Sequence, residues 1–497
     1  MSGVSNPTAN LEPEALWKHF YRVSQIPRCS GHEDKARDYM TLIAEQNGLP
    51  YKIDNAGNLV IKKPATTQDL ANGCSLTLQA HLDMVCEKDP NIVHDFAKDP
   101  IQLKKTQDGW ITAEGTTLGA DNGIGLAAAL AILESKDLRH GPLECLFTVE
   151  EEVGLAGARQ ISNRMLASRF LLNLDSEKDN IIYVGCAGSR NTDLFLVPET
   201  QPPPEGCRAA VIRVSESLGG HSGLDIHLGR ANAIKLLVRF LWQMLPKRKL
   251  FLAYLQGGTS LNSIPRDATA TVCLAKEKLE ELKKDISEYR ATCRAEYSKT
   301  DPAVTVNIEG LAHPPSAVFS ARFRDKLLNL LLSITNGVVT VEPVGPCVVR
   351  TSTNLALIAE ANGKLKIGTK QRSSFVSELI AVSDMIRASG LMAQAEIRTW
   401  GHYPPWAANS SSLLLKLAKD VYGDILGQEP QKKTMHAGLE CGLLTEKFTG
   451  IDMLSIGPNI LEAHTPNEKV QISSVTILWK ILTEILARVP YLPIADS

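Results

Sequence analysis

Several apolar runs in this 497-residue chain end directly on residues that bind protons or cations. "SLTLQA" runs into His81, Leu82 and Asp83. "TTLGADNG" sets Asp121 just before an apolar helical run. "ECLFTV" leads into Glu150, Glu151 and Glu152, and "FLLNL" into Asp175. Near the C-terminus "MLSIGPN" continues through "EAHTPNE", which carries His464. His81, Asp121, Glu152, Asp175 and His464 form a set of nitrogen and oxygen donors suited to divalent zinc, cobalt or manganese. Among five such groups, one carboxylate can bridge two ions about 3.5–4 Å apart. Paired ions activate water and polarise a carbonyl, so hydrolysis is the natural chemistry. Singly, each residue has an ordinary role: His81 as a satisfied structural histidine, Asp121 as a helix cap, the glutamates at a helix N-terminus, Asp175 in a turn and His464 in a loop. Their joint occurrence at successive segment ends carries the inference.

Such residues need elements that bring them together. "EALWKHFYRV" places Leu16, Phe20 and Val23 on one helical face. "SGHEDKARDYMTLIAEQNG" reads as a second helix, opened by a Ser30–Glu33 capping box and stopped at Asn47-Gly48. Strands "NLVIKK" and "SLTLQA" come next, then a helix from Gly123 to Ser135, strand "ECLFTV", helix "GLAGARQISNRML" and strand "RFLLNLD". This alternation predicts an α/β domain with a mostly parallel central sheet. Ligands of such sheets gather outside the carboxyl ends of the strands. After "VGCAGSR" the composition shifts through the Pro-rich "VPETQPPPEG" to an α+β pattern with two related halves; beyond "GHYPPW" the α/β style resumes. The expected organisation is a catalytic domain in two parts, 1–187 and 402–497, interrupted by a lid domain at 188–401.

A hydrophobic content of 44% over this length supports two or three separate cores. A net charge of −2 without a long basic cluster argues against nucleic acid or an anionic membrane as partner. The longest apolar run, "GIGLAAALAIL", is shorter than the roughly 20 residues of a membrane span. No basic segment followed by an apolar core opens the chain, and the expected location is cytoplasmic. Ten scattered cysteines without CxxC pairs read as reduced thiols, mostly small buried hydrophobes.

Taken together, "AHLDMVCEK", "TTLGADNGIGLA", "TVEEEVGLAGA", "NLDSE", "VGCAG", "GGHSGLDI", "YPPW", "HAGLECG" and "SIGPNILEAHTPNE" resemble the motifs of the zinc-dependent exopeptidases that include peptidase T, acetylornithine deacetylase and carnosinase-type dipeptidases. The resemblance spans nearly the whole chain, and "HAGLECG" and "GGHSGLDI" are similar to its dipeptidase branch. It implies a zinc-exopeptidase-like fold and two divalent ions, Zn2+ first, with Co2+ or Mn2+ as alternatives. Asp121 would bridge them, Glu152 and His464 would complete one ion's shell, and His81 and Asp175 the other's. Asp83 would orient His81, Glu151 would be the general base, and a cis peptide would follow Asp121. His221 would stabilise the oxyanion. Asn262 and Arg372 would hold the substrate's terminal carboxylate. His436 and Glu440 would line the substrate pocket, with Glu440 toward the free amino group.

The implied substrates are small peptides, in particular Xaa-His dipeptides such as carnosine. Relatives that dimerise through the lid make a homodimer one expected assembly. A two-halved lid that supplies the same surface within one chain is the other, so His221 would act in its own subunit or in its neighbour. The alternatives are an N-acyl amino acid deacylase and a non-catalytic zinc-binding protein on the same scaffold. Two departures stand out: Glu150 where the family usually has Asp, and Pro405 where near relatives often have Gly.

Overall fold

The computed structural model describes residues 6–343 and 348–493. The chain divides into two compact units. One comprises Met1–Cys186, Trp406–Thr434 and Leu439–Ser497; the other comprises Ala187–Pro405 and Met435–Gly438. The short segment Met435–Gly438, expected with the first unit, belongs to the second.

The first unit is built on an eight-stranded sheet. Its order is Tyr51–Ile53, Leu59–Lys63, Leu143–Thr148, Leu76–His81, Phe170–Asn173, Asp452–Ser455, Ile181–Cys186 and Gln431–Met435. The four strands from Leu143–Thr148 to Asp452–Ser455 run parallel. Those at Tyr51–Ile53, Leu59–Lys63 and Ile181–Cys186 pair antiparallel. Strands Leu76–His81, Leu143–Thr148 and Phe170–Asn173 are buried at every position. That is why their sequences run apolar instead of alternating. Register aligns their carboxyl ends, with His81 opposite Thr148 and Gln79 opposite Asn173. The polar residues at the end of each strand therefore emerge together.

Helix Ala120–Glu134 is buried on almost all sides, against the sheet and helix Glu14–Ser24. Its small residues permit that contact. A Cβ on Gly125 would fall 3.0 Å from Leu174 and 3.1 Å from Ala80. The stretch "GLAGARQISNRML" is helical only over Ala156–Gln160. Asn58 Nδ2 donates to Gly157 O at 3.0 Å, tying that turn to the sheet, and the chain is extended again at Ile161.

The cysteine reading needs correction. Cys29 and Cys86 form a disulfide, with Cα atoms 5.8 Å apart. Scattered spacing carried no sign of it, because a parallel bridge between Cys29 and Met84, rather than a sequence motif, brings the pair together. Seven other cysteines remain thiols, six of them buried; Cys347 lies outside the described residues.

In the second unit, antiparallel strands take the order Thr305–Leu311, Arg208–Ser215, Ala268–Leu274, Phe251–Gly257, Val349–Ala361, Lys364–Ser373, Gly188–Leu196 and Glu396–Tyr403. Helices Ala233–Arg248, Ala321–Ser333 and Val376–Met392 contribute Leu237, Phe240, Phe323, Leu327 and Ile386 to the core beneath this sheet. Strand alternation puts Leu365 and Ile367 in that core and Lys370 and Arg372 on the opposite face. Among the described residues no helix is long and apolar enough to cross a membrane.

Candidate active site

The strand ends of the first unit bring His81, Asp121, Glu151, Glu152, Asp175 and His464 together. His81 Nε2 lies 2.9 Å from Asp121 Oδ1 and 3.1 Å from Asp175 Oδ1. On the other side, His464 Nε2 lies 3.1 Å from Asp121 Oδ2 and 3.1 Å from Glu152 Oε1. Each oxygen of Asp121 thus faces its own imidazole–carboxylate pair. Donor atoms lie within 4.8 Å of one another in three groups: His81, Asp121 and Asp175; Asp121, Glu152 and His464; and His81, Glu151 and Glu152. The peptide between Asp121 and Asn122 is cis. Asn122 Nδ2 donates to Asp175 Oδ1.

This arrangement fits divalent cations. Four carboxylates converge on two imidazoles, a donor set of oxygens and nitrogens suited to such ions. Burial pushes Glu151 well above the usual carboxylate range, and neighbouring Glu152 adds to it. Burial and Asp121 raise Glu152 as well. Burial alone would lower His464, but its hydrogen bonds to Asp121 and Glu152 outweigh that and hold it at about 12. Like charges this close need positive charge between them.

Asp83, 0% exposed, is the hub of the surrounding scaffold. Its Oδ1 lies 3.3 Å from His81 Nδ1. It accepts the backbone N–H of Glu151 at 3.0 Å and of Glu152 at 3.1 Å, and the Ser30 hydroxyl at 2.7 Å. Burial opposes its ionisation, yet these donors hold it at about 2. One carboxylate thereby fixes both an imidazole and the segment bearing two glutamates.

The glutamate triplet reaches the site through a turn at Glu150, whose φ is +50°. A non-glycine residue in the left-handed region costs about 1–3 kcal/mol and needs support. Glu33 Oε1 supplies it, accepting Glu150 N–H at 3.0 Å. The expected capping box is therefore absent: Ser30 is engaged by Asp83, Glu33 by Gly31 and Glu150, and helix Asp34–Gln46 starts without a side-chain cap.

Glu440 stands at the N-cap of helix Cys441–Lys447 and is fully buried. It accepts from Gln79 Nε2 at 2.5 Å and Thr148 Oγ1 at 2.7 Å, while its Oε1 has no partner. Burial pushes it up to about 8. Glu177 was not singled out from sequence, yet burial and Asp121 push it up to about 8 too; it lies two positions after Asp175 in "NLDSE". Arg28 and Glu468 were also missed. Glu468 lay in plain view in "EAHTPNE", but Arg28 carried no motif.

The remaining expected residues gather in the second unit. Arg372 is 2% exposed. Its Nη1 donates to Tyr403 OH at 3.1 Å, and Nη2 to Asn262 Oδ1 at 3.1 Å and Ser222 Oγ at 3.5 Å. None of these acceptors is a carboxylate, and Arg372 Nε is buried without a partner. His221 Nδ1 accepts the N–H groups of Gly223 and Leu224 at 3.2 and 2.9 Å. In the neutral ring the proton then belongs on Nε2, which lies 3.3 Å from Arg372 Nη2. Two donors therefore stand side by side. His436 pairs through Nε2 with Ser352 Oγ at 2.7 Å; burial and Arg372 hold it neutral, at about 3.

The sequence pattern of peptidase family M20/M25/M40 matches residues 77–488. The chain belongs to that family. Within M20/M25/M40, the chain is 38% identical over 483 residues to the cytosol non-specific dipeptidase of Escherichia coli, covering 97% of this chain and 99% of that one. The crystal structure of aminoacylhistidine dipeptidase from Vibrio alginolyticus superposes with a TM-score of 0.81 at 36% identity, over 96% and 97% of the two chains. A Staphylococcus aureus tripeptidase shares the M20 fold at a TM-score of 0.56 and 17% identity, over 97% and 99%. The expected α/β exopeptidase fold is therefore that of the molecule.

Proposed function

We propose that the chain is a cytosolic metallodipeptidase that hydrolyses dipeptides, Xaa-His dipeptides such as carnosine among them. The observation that carries this is the placement of each Asp121 oxygen before a separate imidazole–carboxylate pair, with Glu151 beside them. Likeness over nearly full length to enzymes named as dipeptidases supports the substrate class.

In this proposal His81 and Asp175 would hold one ion and Glu152 and His464 the other, with Asp121 placed between the two pairs; zinc would suit the donors, with cobalt or manganese as substitutes. When bound, such ions lower the pKa of water and polarise the scissile carbonyl. Glu151 takes the proton of the attacking water and delivers it to the leaving amine. Asp83 keeps His81 in one tautomer and holds the backbone of Glu151 in place. Arg372 and Asn262 bind the substrate's terminal carboxylate, and His221 offers Nε2–H to the developing oxyanion. His436 lines the pocket. Glu440, with one buried oxygen unpartnered, takes the substrate's free amino group.

A panel assay with added zinc, cobalt or manganese tests this, run beside metal analysis. Dipeptides should be cleaved, about two ions should bind per chain, and N-acetyl amino acids should resist. Faster cleavage of the N-acetyl compounds would make the chain a deacylase instead. For the carboxylate site, Arg372→Met should raise KM for dipeptides about 10–100-fold with a smaller change in kcat, since hydrogen bonds to charged groups contribute about 1.5–3 kcal/mol. An unchanged KM would remove Arg372 from carboxylate binding.

A further inference from the structure

We propose that Glu468 and Arg28 are positioning residues: they grip opposite sides of the loop Leu118–Asp121 and so set where Asp121 presents its two oxygens. This rests on Asp121 being the ligand shared by two ions.

Glu468 is 2% exposed. Its Oε2 accepts the backbone N–H of Leu118 at 2.8 Å and of Gly119 at 2.9 Å. Its Oε1 accepts that of Ala120 at 2.8 Å and of Asp121 at 3.3 Å. Four consecutive amides converge on one carboxylate, a concave anion-binding turn made by the left-handed φ of +70° at Gly119. Charge-assisted N–H···O⁻ bonds are roughly twice as strong as neutral ones, so the loop has little freedom to rotate Asp121.

Arg28, also 2% exposed, holds the carbonyl side. Its Nη2 donates to Gly119 O, and its Nη1 to Leu82 O at 3.0 Å and Asp83 O at 2.7 Å. A Cβ at Gly119 would sit 2.6 Å from Arg28 Nη2, so a side chain there would drive the guanidinium out.

The two residues divide the work between the two ion sites. Glu468 lies four positions after His464 in the same loop, where its N–H bonds Thr465 O at 3.0 Å. It therefore ties the Asp121 loop to the His464 loop. Arg28 ties the Asp121 loop to the two residues just after His81. Loosening Glu468 should relax the His464–Glu152 side, and loosening Arg28 the His81–Asp175 side.

The test is zinc titration of metal-stripped wild type, Glu468→Gln and Arg28→Lys, with melting of each metal-free protein as the folding control. A carboxamide at 468 keeps the side-chain shape but turns one acceptor into a donor facing N–H groups. Glu468→Gln should bind one ion with wild-type affinity and the other at least about 10-fold more weakly. Adding His464→Ala should weaken that same ion further and leave the other untouched, whereas adding His81→Ala should weaken the ion that Glu468→Gln spared. Arg28→Lys should show the reverse pattern. Glu468→Asp, which keeps the charge, should recover part of the lost affinity; it also serves as the test variant if Glu468→Gln does not fold. Wild-type affinity for both ions in Glu468→Gln, or equal weakening of both with a lowered metal-free melting temperature, overturns the positioning role. Failure of the wild type to bind two ions would instead defeat the shared-ligand reading beneath it.

Discussion

Glu151→Gln should lower kcat by about 10²–10⁴-fold, the range that general acid–base catalysis contributes, with both ions still bound. The carboxamide fills the same space and keeps an oxygen near His81 and Glu152, but it cannot accept the proton that attacking water must lose. Its backbone anchor, the N–H bonded to Asp83 at 3.0 Å, is untouched by the substitution. Without ions, burial and Glu152 already favour the uncharged form of Glu151, so a neutral carboxamide replaces it without electrostatic loss. The metal-free variant should therefore melt no lower than wild type. Steady-state kinetics, metal analysis and a melting curve on one preparation suffice. Near-normal kcat would give the proton transfer to another residue, and loss of an ion would make Glu151 a ligand.

The second large effect is expected at Asp121. Asp121→Ala should abolish detectable activity and remove tight binding at both proposed ion sites, because each carboxylate oxygen faces a different imidazole–carboxylate pair. Asp175→Ala should instead spare the ion beside His464 and Glu152. A ligand that binds only the folded state adds stability of about 2.7 kcal/mol when present at 100 times its Kd. Zinc should thus raise the melting temperature of wild type clearly, of Asp175→Ala less, and of Asp121→Ala hardly at all. Two tight ions in Asp121→Ala would rule out the bridging role.

The clustering of His81, Asp121, Glu152, Asp175 and His464 was legible because such chemistry admits few residue types and the fold places them at predictable points. Buried parallel strands declare themselves as apolar runs, and the residues at the end of such a run lie on the sheet's carboxyl edge. The supporting residues were not legible in the same way. Ser30 and Glu33 have the spacing of a capping box, yet their partners are Asp83, 53 positions away, and Glu150, 117 positions away. Nothing within a few residues distinguishes a local cap from a distant anchor. Glu150 was a similar case. The turn that lets Glu151 and Glu152 share a site begins at Glu150, a non-glycine residue with a positive φ that Glu33 holds from outside; Gly154 follows with a positive φ of its own. Arg28 and the Cys29–Cys86 bridge are purely tertiary. The uncharged partners of Arg372 are tertiary as well, set by its place on the sheet face opposite the core.

The first unit closes only when the last part of the chain joins it. His464 lies 343 positions beyond Asp121, and Glu468 lies 350 beyond Leu118. At about 5–20 residues per second, a ribosome needs on the order of tens of seconds to cross that interval. Throughout it, the emerging chain carries Asp121, Glu151, Glu152 and Asp175 without the imidazole that completes the second pair or the carboxylate that gathers the loop amides. The full constellation is thus completed late in biosynthesis: a product truncated just before His464 would hold all eight strands of the sheet yet lack both His464 and Glu468.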